Sequence, residues 1–268
     1  MKTNRMKKRI QGYMDSKKLG EPKTLMEHLL DFRKVLMFSV VIILLFFLVI
    51  WLCCSEWLLS IVAKPLVDRN ITIVYTALAE SFTAQMKVSF LFAIILAFPF
   101  VLGKLWMFIA PSLYRREKFV YGGVFFVALL LFVLGILFAY LIVFHMAINF
   151  FVFSSGELAT PMISIESYVG FMVRFMIPFG ITFELPLAIL ILTKLQIVKL
   201  SQLMKCQKYV IFLLFVLAAI LTPPDVISQI MLGLPLTLLY EIGVLGAAIV
   251  TTKRKQRVDY DAKSCRQA

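Results

Sequence analysis

Residues Val35–Cys54 read VLMFSVVIILLFFLVIWLCC, twenty consecutive positions without a charge. A helix of that length rises about 30 Å, the thickness of a bilayer's hydrocarbon core. The stretch reads as a membrane span. Working outward, Val88–Gly103, Val120–Phe144, Tyr168–Thr193, Val210–Leu221 and Val226–Val250 are the other apolar runs in a chain that is 61% hydrophobic. Six spans of an all-α polytopic membrane protein are expected.

Basic residues orient them. The tail to Lys34 carries 10 Lys and Arg, Lys104–Lys118 carries 4, Lys194–Lys208 carries 4, and the tail from Lys253 carries 6. The intervening segments are nearly free of cations: Ser55–Ser81 holds Lys64 and Arg69, and Met146–Ser167 holds none. Positive charge stays on the cytoplasmic side, so both termini are expected there. The net charge of +13 thus sets topology, and with no nucleic-acid recognition motif beside it, no nucleic-acid partner is expected. The first 34 residues lack the short apolar core and small-residue cleavage site of a secretory signal, so the first span is expected to be retained.

Three parts follow from composition: a basic tail over 1–24, a membrane domain over 25–252 and a basic tail over 253–268. Thr24 and Glu27 have capping-box spacing, and Leu25, Leu29, Phe32 and Leu36 share a helical face, so an amphipathic surface helix is expected to run into the first span. Pro65 and the β-branched ITIVYT suggest an ordered outer loop or short helices within Ser55–Ser81. Pro99, Pro178, Pro186 and Pro235 are expected to kink or unwind their helices. The apolar parts of the last two spans are short, about 18 Å from Val210 to Leu221 and about 21 Å from Val226 to Leu239, so the bilayer beside them should thin.

Against this background the carboxylates stand out. Glu184, in GITFELPLAI, is an ionisable group at membrane depth, which either pairs with a neighbouring helix or serves a functional surface. Asp31 and Glu117 are acids in basic cytoplasmic surroundings; each either makes a local salt bridge or takes a guanidinium in bidentate fashion. Asp225 can cap the last helix after the diproline, while Gln229 and Glu241 suit interhelical hydrogen bonds or a partner site. His28 and His145 lie far apart in topology, the four cysteines lack zinc-site spacing, and no nucleophile-elbow, phosphate-loop or metalloprotease motif occurs. Neither enzyme chemistry nor a cofactor is expected.

The segments HLLDFRK, FIAPSLYRREK, GILFAY, GITFELP and LTPPDVISQ followed by LPLTLLYEIG occur in order from about Leu25 to Thr252. In these motifs the chain resembles the TatC family, the polytopic component of the twin-arginine protein translocase. The resemblance implies six helices in a cupped bundle and a receptor for signal peptides with paired arginines on folded cargo. It places Asp31, Arg33, Phe108 and Glu117 at the signal-peptide site, and gives Pro65, Tyr140, Glu184, Asp225 and Gln229 structural or partner-contact roles. It also implies single-span TatA and TatB partners, a homo-oligomeric receptor complex and a bacterial inner membrane. The chain departs from the pattern at Asp31, usually glutamate, at Lys104, usually glutamine, and at His145, usually proline. An ion-coupled secondary transporter using Glu184 as a proton relay is the alternative from another class.

Overall fold

The structure is a computed structural model that describes residues 25–68, 71–109, 118–154, 162–221 and 226–267. Eight α-helices are described: α1 Leu25–Val67, α2 Glu80–Ile109, α3 Lys118–Phe138, α4 His145–Ser154, α5 Ile165–Thr182, α6 Leu185–Lys194, α7 Leu200–Leu221 and α8 Val226–Gln267. A π-helical turn, Ala139–Phe144, joins α3 to α4, and two short strands, β1 Thr72–Val74 and β2 Met162–Ser164, complete the description. Six segments are long and apolar enough to cross a membrane: Leu29–Val67, Glu80–Phe108, Gly122–Asn149, Ile165–Lys194, Leu200–Leu221 and Val226–Thr252. Five of them contain a run expected from the sequence, and Gly122–Asn149 contains Val120–Phe144 but for its first two residues. The chain is an all-α polytopic membrane protein.

The helices form an open row. α1 packs on α2, α2 and α3 pack on α5, and α6 and α7 pack on α8. The middle of the row is the best buried: Phe132, Phe175, Phe179 and Met172 lie at its centre, with Phe98 and Phe132 stacked at 3.5 Å. With hydrocarbon outside, such apolar side chains gain little by leaving lipid, and close packing supplies the cohesion. Small residues permit it. A Cβ on Gly135 would meet the Phe179 carbonyl oxygen at 2.9 Å, and one on Gly180 would meet the Phe132 ring at 2.7 Å. Both positions need glycine for close helix approach.

The outer segments are more ordered than a loop. α1 does not stop near Ser55; it continues to Val67, carrying Pro65 in its last turns. Leu58, Leu59, Val62 and Leu66 are buried there, so packing outweighs the hydrogen bond that Pro65 omits. The β-branched run forms β1, which pairs in parallel with β2 from the second outer segment through Thr72–Met162, Ile73–Ile163 and Val74–Ser164. That second segment is itself helical up to Ser154.

The prolines behave unequally. Pro99, Pro178 and Pro235 sit inside continuous helices, so of the expected kinking or unwinding they do not unwind the chain. Only Pro186 accompanies a break. The last two helices are longer than their apolar parts, since α7 begins at Leu200 and α8 continues through Gln267. The clean apolar lengths remain short. The proposed capping box at Thr24 and Glu27 and the N-terminal tail lie outside what the structure describes.

Candidate functional site

Two helix ends meet on the cytoplasmic side. The start of α1 brings HLLDFRK beside the end of α2, where Phe32 packs on Phe108 with ring centroids 5.9 Å apart. One turn further in, the Lys104 ammonium sits 5.0 Å from the Phe38 ring. Such ring and cation contacts contribute about 0.5–1.5 kcal/mol each, enough to set the two turns side by side without burying them. Asp31 is partly exposed and accepts a 3.3 Å hydrogen bond from Lys34 one turn on, a contact in which the lysine is 77% exposed. Arg33 is exposed. Between Lys104 and Phe108, Trp106 keeps a buried indole N–H that has no hydrogen-bond acceptor among the described residues. Trp106 and Phe38 escaped notice in the sequence because aromatic residues are frequent throughout the spans, and Phe32 was read there only as part of an apolar helix face. Glu117 lies outside the described residues, as does Asp225.

Glu184 stands at the break between α5 and α6. Its backbone N–H donates to the Ile181 carbonyl at 3.1 Å, a tightened turn, and the carbonyl of Glu184 then accepts from Ala188 at 2.9 Å to start α6. Pro186 falls in the first turn of α6, where a missing donor costs nothing. The break is held from both sides. Gly135 lets α3 approach Phe179 and Phe183, and Gly243 lets α8 approach Pro186, whose Cα would lie 2.9 Å from an added Cβ. The Glu184 side chain is half-buried, and its Oε1 is buried without a hydrogen-bond partner among the described residues. Among the described residues Glu184 makes no ion pair with a neighbouring helix. The carboxylate thus keeps an acceptor inside the fold that no described donor fills.

The final hairpin carries two polar links. Gln229 donates from Nε2 to the Phe215 carbonyl at 3.3 Å, and Glu241 accepts from Gln207 Nε2 at 2.6 Å. Tyr240 adds a hydroxyl bond to the Leu203 carbonyl at 3.0 Å. All three join α7 to α8, and Gly233 admits the Phe215 ring between them. These links orient an otherwise exposed α7.

Pro65 and Tyr140 come together on the outer side. They line one recess with Ile61, Lys64, Asp68 and His145. His145 Nδ1 lies 2.8 Å from the carbonyl oxygen of Tyr140, which belongs to the π-helical turn. Glu80 accepts from the Thr76 backbone at 2.8 Å, from the Thr76 hydroxyl, and from Ser164 at 3.2 Å, so it ties α2 to the segment after β1 and to β2. Lys87 and Glu166 form a 2.6 Å ion pair between α2 and α5. Glu80 and Lys87 were not singled out from the sequence; the signal available was their position at the margin of an apolar run. Among the described residues no cluster of metal-ligating side chains occurs.

Comparison with known proteins agrees with this arrangement. Residues 27–235 match the family model for the Sec-independent protein translocase protein, TatC. The Sec-independent protein translocase protein TatC of Carboxydothermus hydrogenoformans is 38% identical over 234 residues, covering 87% of this chain and 96% of the relative. The protein of that name from Escherichia coli is 32% identical over 240 residues, covering 88% of this chain and 93% of the relative. A crystal structure of the twin arginine translocase receptor TatC superposes with a TM-score of 0.77 at 32% identity, covering 84% of this chain and 99% of that one. With a family match across most of its length and a fold shared with a solved member, this six-span membrane protein belongs to the TatC family.

Proposed function

We propose that this chain is the core receptor of a twin-arginine translocation system, binding twin-arginine signal peptides and organising transport of folded proteins across the membrane. The observation that carries the reading is the meeting of the Asp31 turn of α1 with the Phe108 turn of α2, within a chain of the TatC family. Asp31 is accessible there and engaged by an exposed lysine that a better donor can displace. A guanidinium offers two parallel N–H donors to a carboxylate, which an ammonium does not. Glu117, nine residues beyond Phe108 in sequence, supplies the second carboxylate, and Arg33 and Phe108 contribute to the site.

Recognition without catalysis is the mechanism. Each well-made charge-assisted bond contributes about 1.5–3 kcal/mol, so paired lysines should bind less well than paired arginines. Single-span TatA and TatB proteins dock where the chain offers an unfilled acceptor beside thinned membrane, at Glu184 and the α7–α8 hairpin, with Pro65, Tyr140, Asp225, Gln229 and Glu241 shaping that assembly. The working unit is a homo-oligomeric complex in the cytoplasmic membrane of a bacterium.

Site-specific crosslinking to a twin-arginine signal peptide tests the receptor site. Glu117→Gln and Asp31→Asn should each reduce crosslinking at unchanged membrane level, and Asp31→Glu should retain it. Wild-type crosslinking by both neutral variants would refute the assignment.

A further inference from the structure

The outer recess between α1 and the π-helical turn has about 440 Å³ of space and is lined by Ile61, Lys64, Pro65, Asp68, Tyr140 and His145. Its depth in the bilayer follows from helix rise. Lys64 is thirty residues beyond Lys34 along one unbroken helix, about 45 Å, past a hydrocarbon core of about 30 Å and at the level of the outer headgroups. Lys64 and Asp68 are one turn apart on one face, both exposed, and neither has an ion-pair or side-chain hydrogen-bond partner among the described residues. A cation and an anion are thus presented separately to one space.

The other lining groups complete the chemistry. The Tyr140 carbonyl can only accept, so His145 Nδ1 carries the hydrogen between them. That leaves Nε2 of the neutral ring as an acceptor on a residue lining the recess. Below the recess, Trp57 and Ile61 continue the face of Lys64 and Asp68 toward the membrane and are exposed, an apolar path for an acyl chain. One cation, two acceptors and an apolar path at headgroup depth match a particular ligand chemistry.

We propose that this recess binds the headgroup of a zwitterionic aminophospholipid of the phosphatidylethanolamine class, the phosphate on Lys64 and the ammonium shared by Asp68 and His145 Nε2. Two alternatives fit less well. An anionic glycerol headgroup supplies no donor cation to Asp68, and a trimethylated choline headgroup has no N–H for either acceptor. The lipid sits between the outer end of α1 and the π-helical turn, and so couples membrane composition to that end of the helix.

Native mass spectrometry of the purified full chain, equilibrated with phosphatidylethanolamine, phosphatidylglycerol or phosphatidylcholine at equal mole fraction, tests the proposal. Retention of phosphatidylethanolamine should exceed that of the other two by about fivefold, the scale of an accessible ion pair with its hydrogen bonds. Asp68→Asn should remove that preference while leaving phosphatidylglycerol retention unchanged, Asp68→Glu should restore it, and Lys64→Gln should weaken all three lipids. Equal retention of the three lipids, or an Asp68→Asn protein that keeps the preference, would overturn the site. Displacement of the lipid by an equal concentration of soluble phosphoethanolamine would overturn its assignment to a lipid. The elution profile of each variant in size-exclusion chromatography separates a misfolded protein from an altered site.

Discussion

The two ends of α1 use one helix in opposite ways. From Met26 to Val49 none of its described side chains is buried, whereas Ile50, Leu58, Leu59, Val62 and Leu66 further along are. The outer end is stitched to its neighbours: Tyr168 donates its hydroxyl to the Val62 carbonyl at 3.0 Å, Glu80 binds Thr76 and Ser164, and β1 pairs with β2. The inner end is held by ring contacts and an exposed ion pair. A helix anchored above the membrane and lightly held below presents its cytoplasmic carboxylate without needing that carboxylate for folding. Structure and recognition are separated along a single element.

Four substitutions can break or sharpen that contrast. The largest effect is expected for Asp31→Asn, which should weaken binding of a twin-arginine peptide about tenfold or more while leaving the melting temperature unchanged. Parallel loss of stability, measured by thermal unfolding in detergent, would show the inner end to be structural. Gly135→Ala should destabilise by about 1–3 kcal/mol, because the methyl group meets the Phe179 backbone at 2.9 Å and α5 cannot yield without moving the Glu184 break. Crosslinks from partner helices to the α5–α6 break should weaken with it, and peptide binding should not.

Tyr168→Phe removes one buried hydroxyl bond to the Val62 carbonyl, a loss of about 1 kcal/mol. Hydrogen exchange should then accelerate over Leu58–Val67 and remain unchanged over Leu25–Val49; acceleration along the whole helix would deny that the two ends are independent. Smallest is Lys34→Gln. Its ion pair is exposed, so stability should move by less than about 0.5 kcal/mol, and peptide affinity should hold or rise as Asp31 loses its internal competitor. A marked fall in affinity would make Lys34 part of the receptor surface.

Much of this architecture was legible before any coordinates. Val35–Cys54 and the five later runs each coincide with an observed span, the third to within two residues at its start, because the cost of unsatisfied backbone in lipid forces such runs into helices. The ordered motifs pointed to the TatC family, which the match over 27–235 bears out. Where α1 ends was not legible: hydropathy falls after Cys54, yet the helix runs on to Val67 because Leu58, Leu59, Val62 and Leu66 find partners on other helices. The prolines were only partly legible. Pro99, Pro178 and Pro235 look in sequence like Pro186, yet only Pro186 coincides with a break in the helix.

The candidate site divides in the same manner. Asp31 and Glu184 announced themselves as charges in the wrong surroundings, a property of local composition. That Phe32 meets Phe108, that Pro65 shares a recess with Tyr140, and that Glu80 ties two distant outer segments together depend on contacts between residues far apart in the chain. Hydrophobic length and charge asymmetry act on each segment separately, so the sequence by itself determined the number of spans, their direction and the family. Which helices touch, where they bend and which polar atoms stay unfilled are settled by side-chain packing between segments. Only the tertiary structure could decide them.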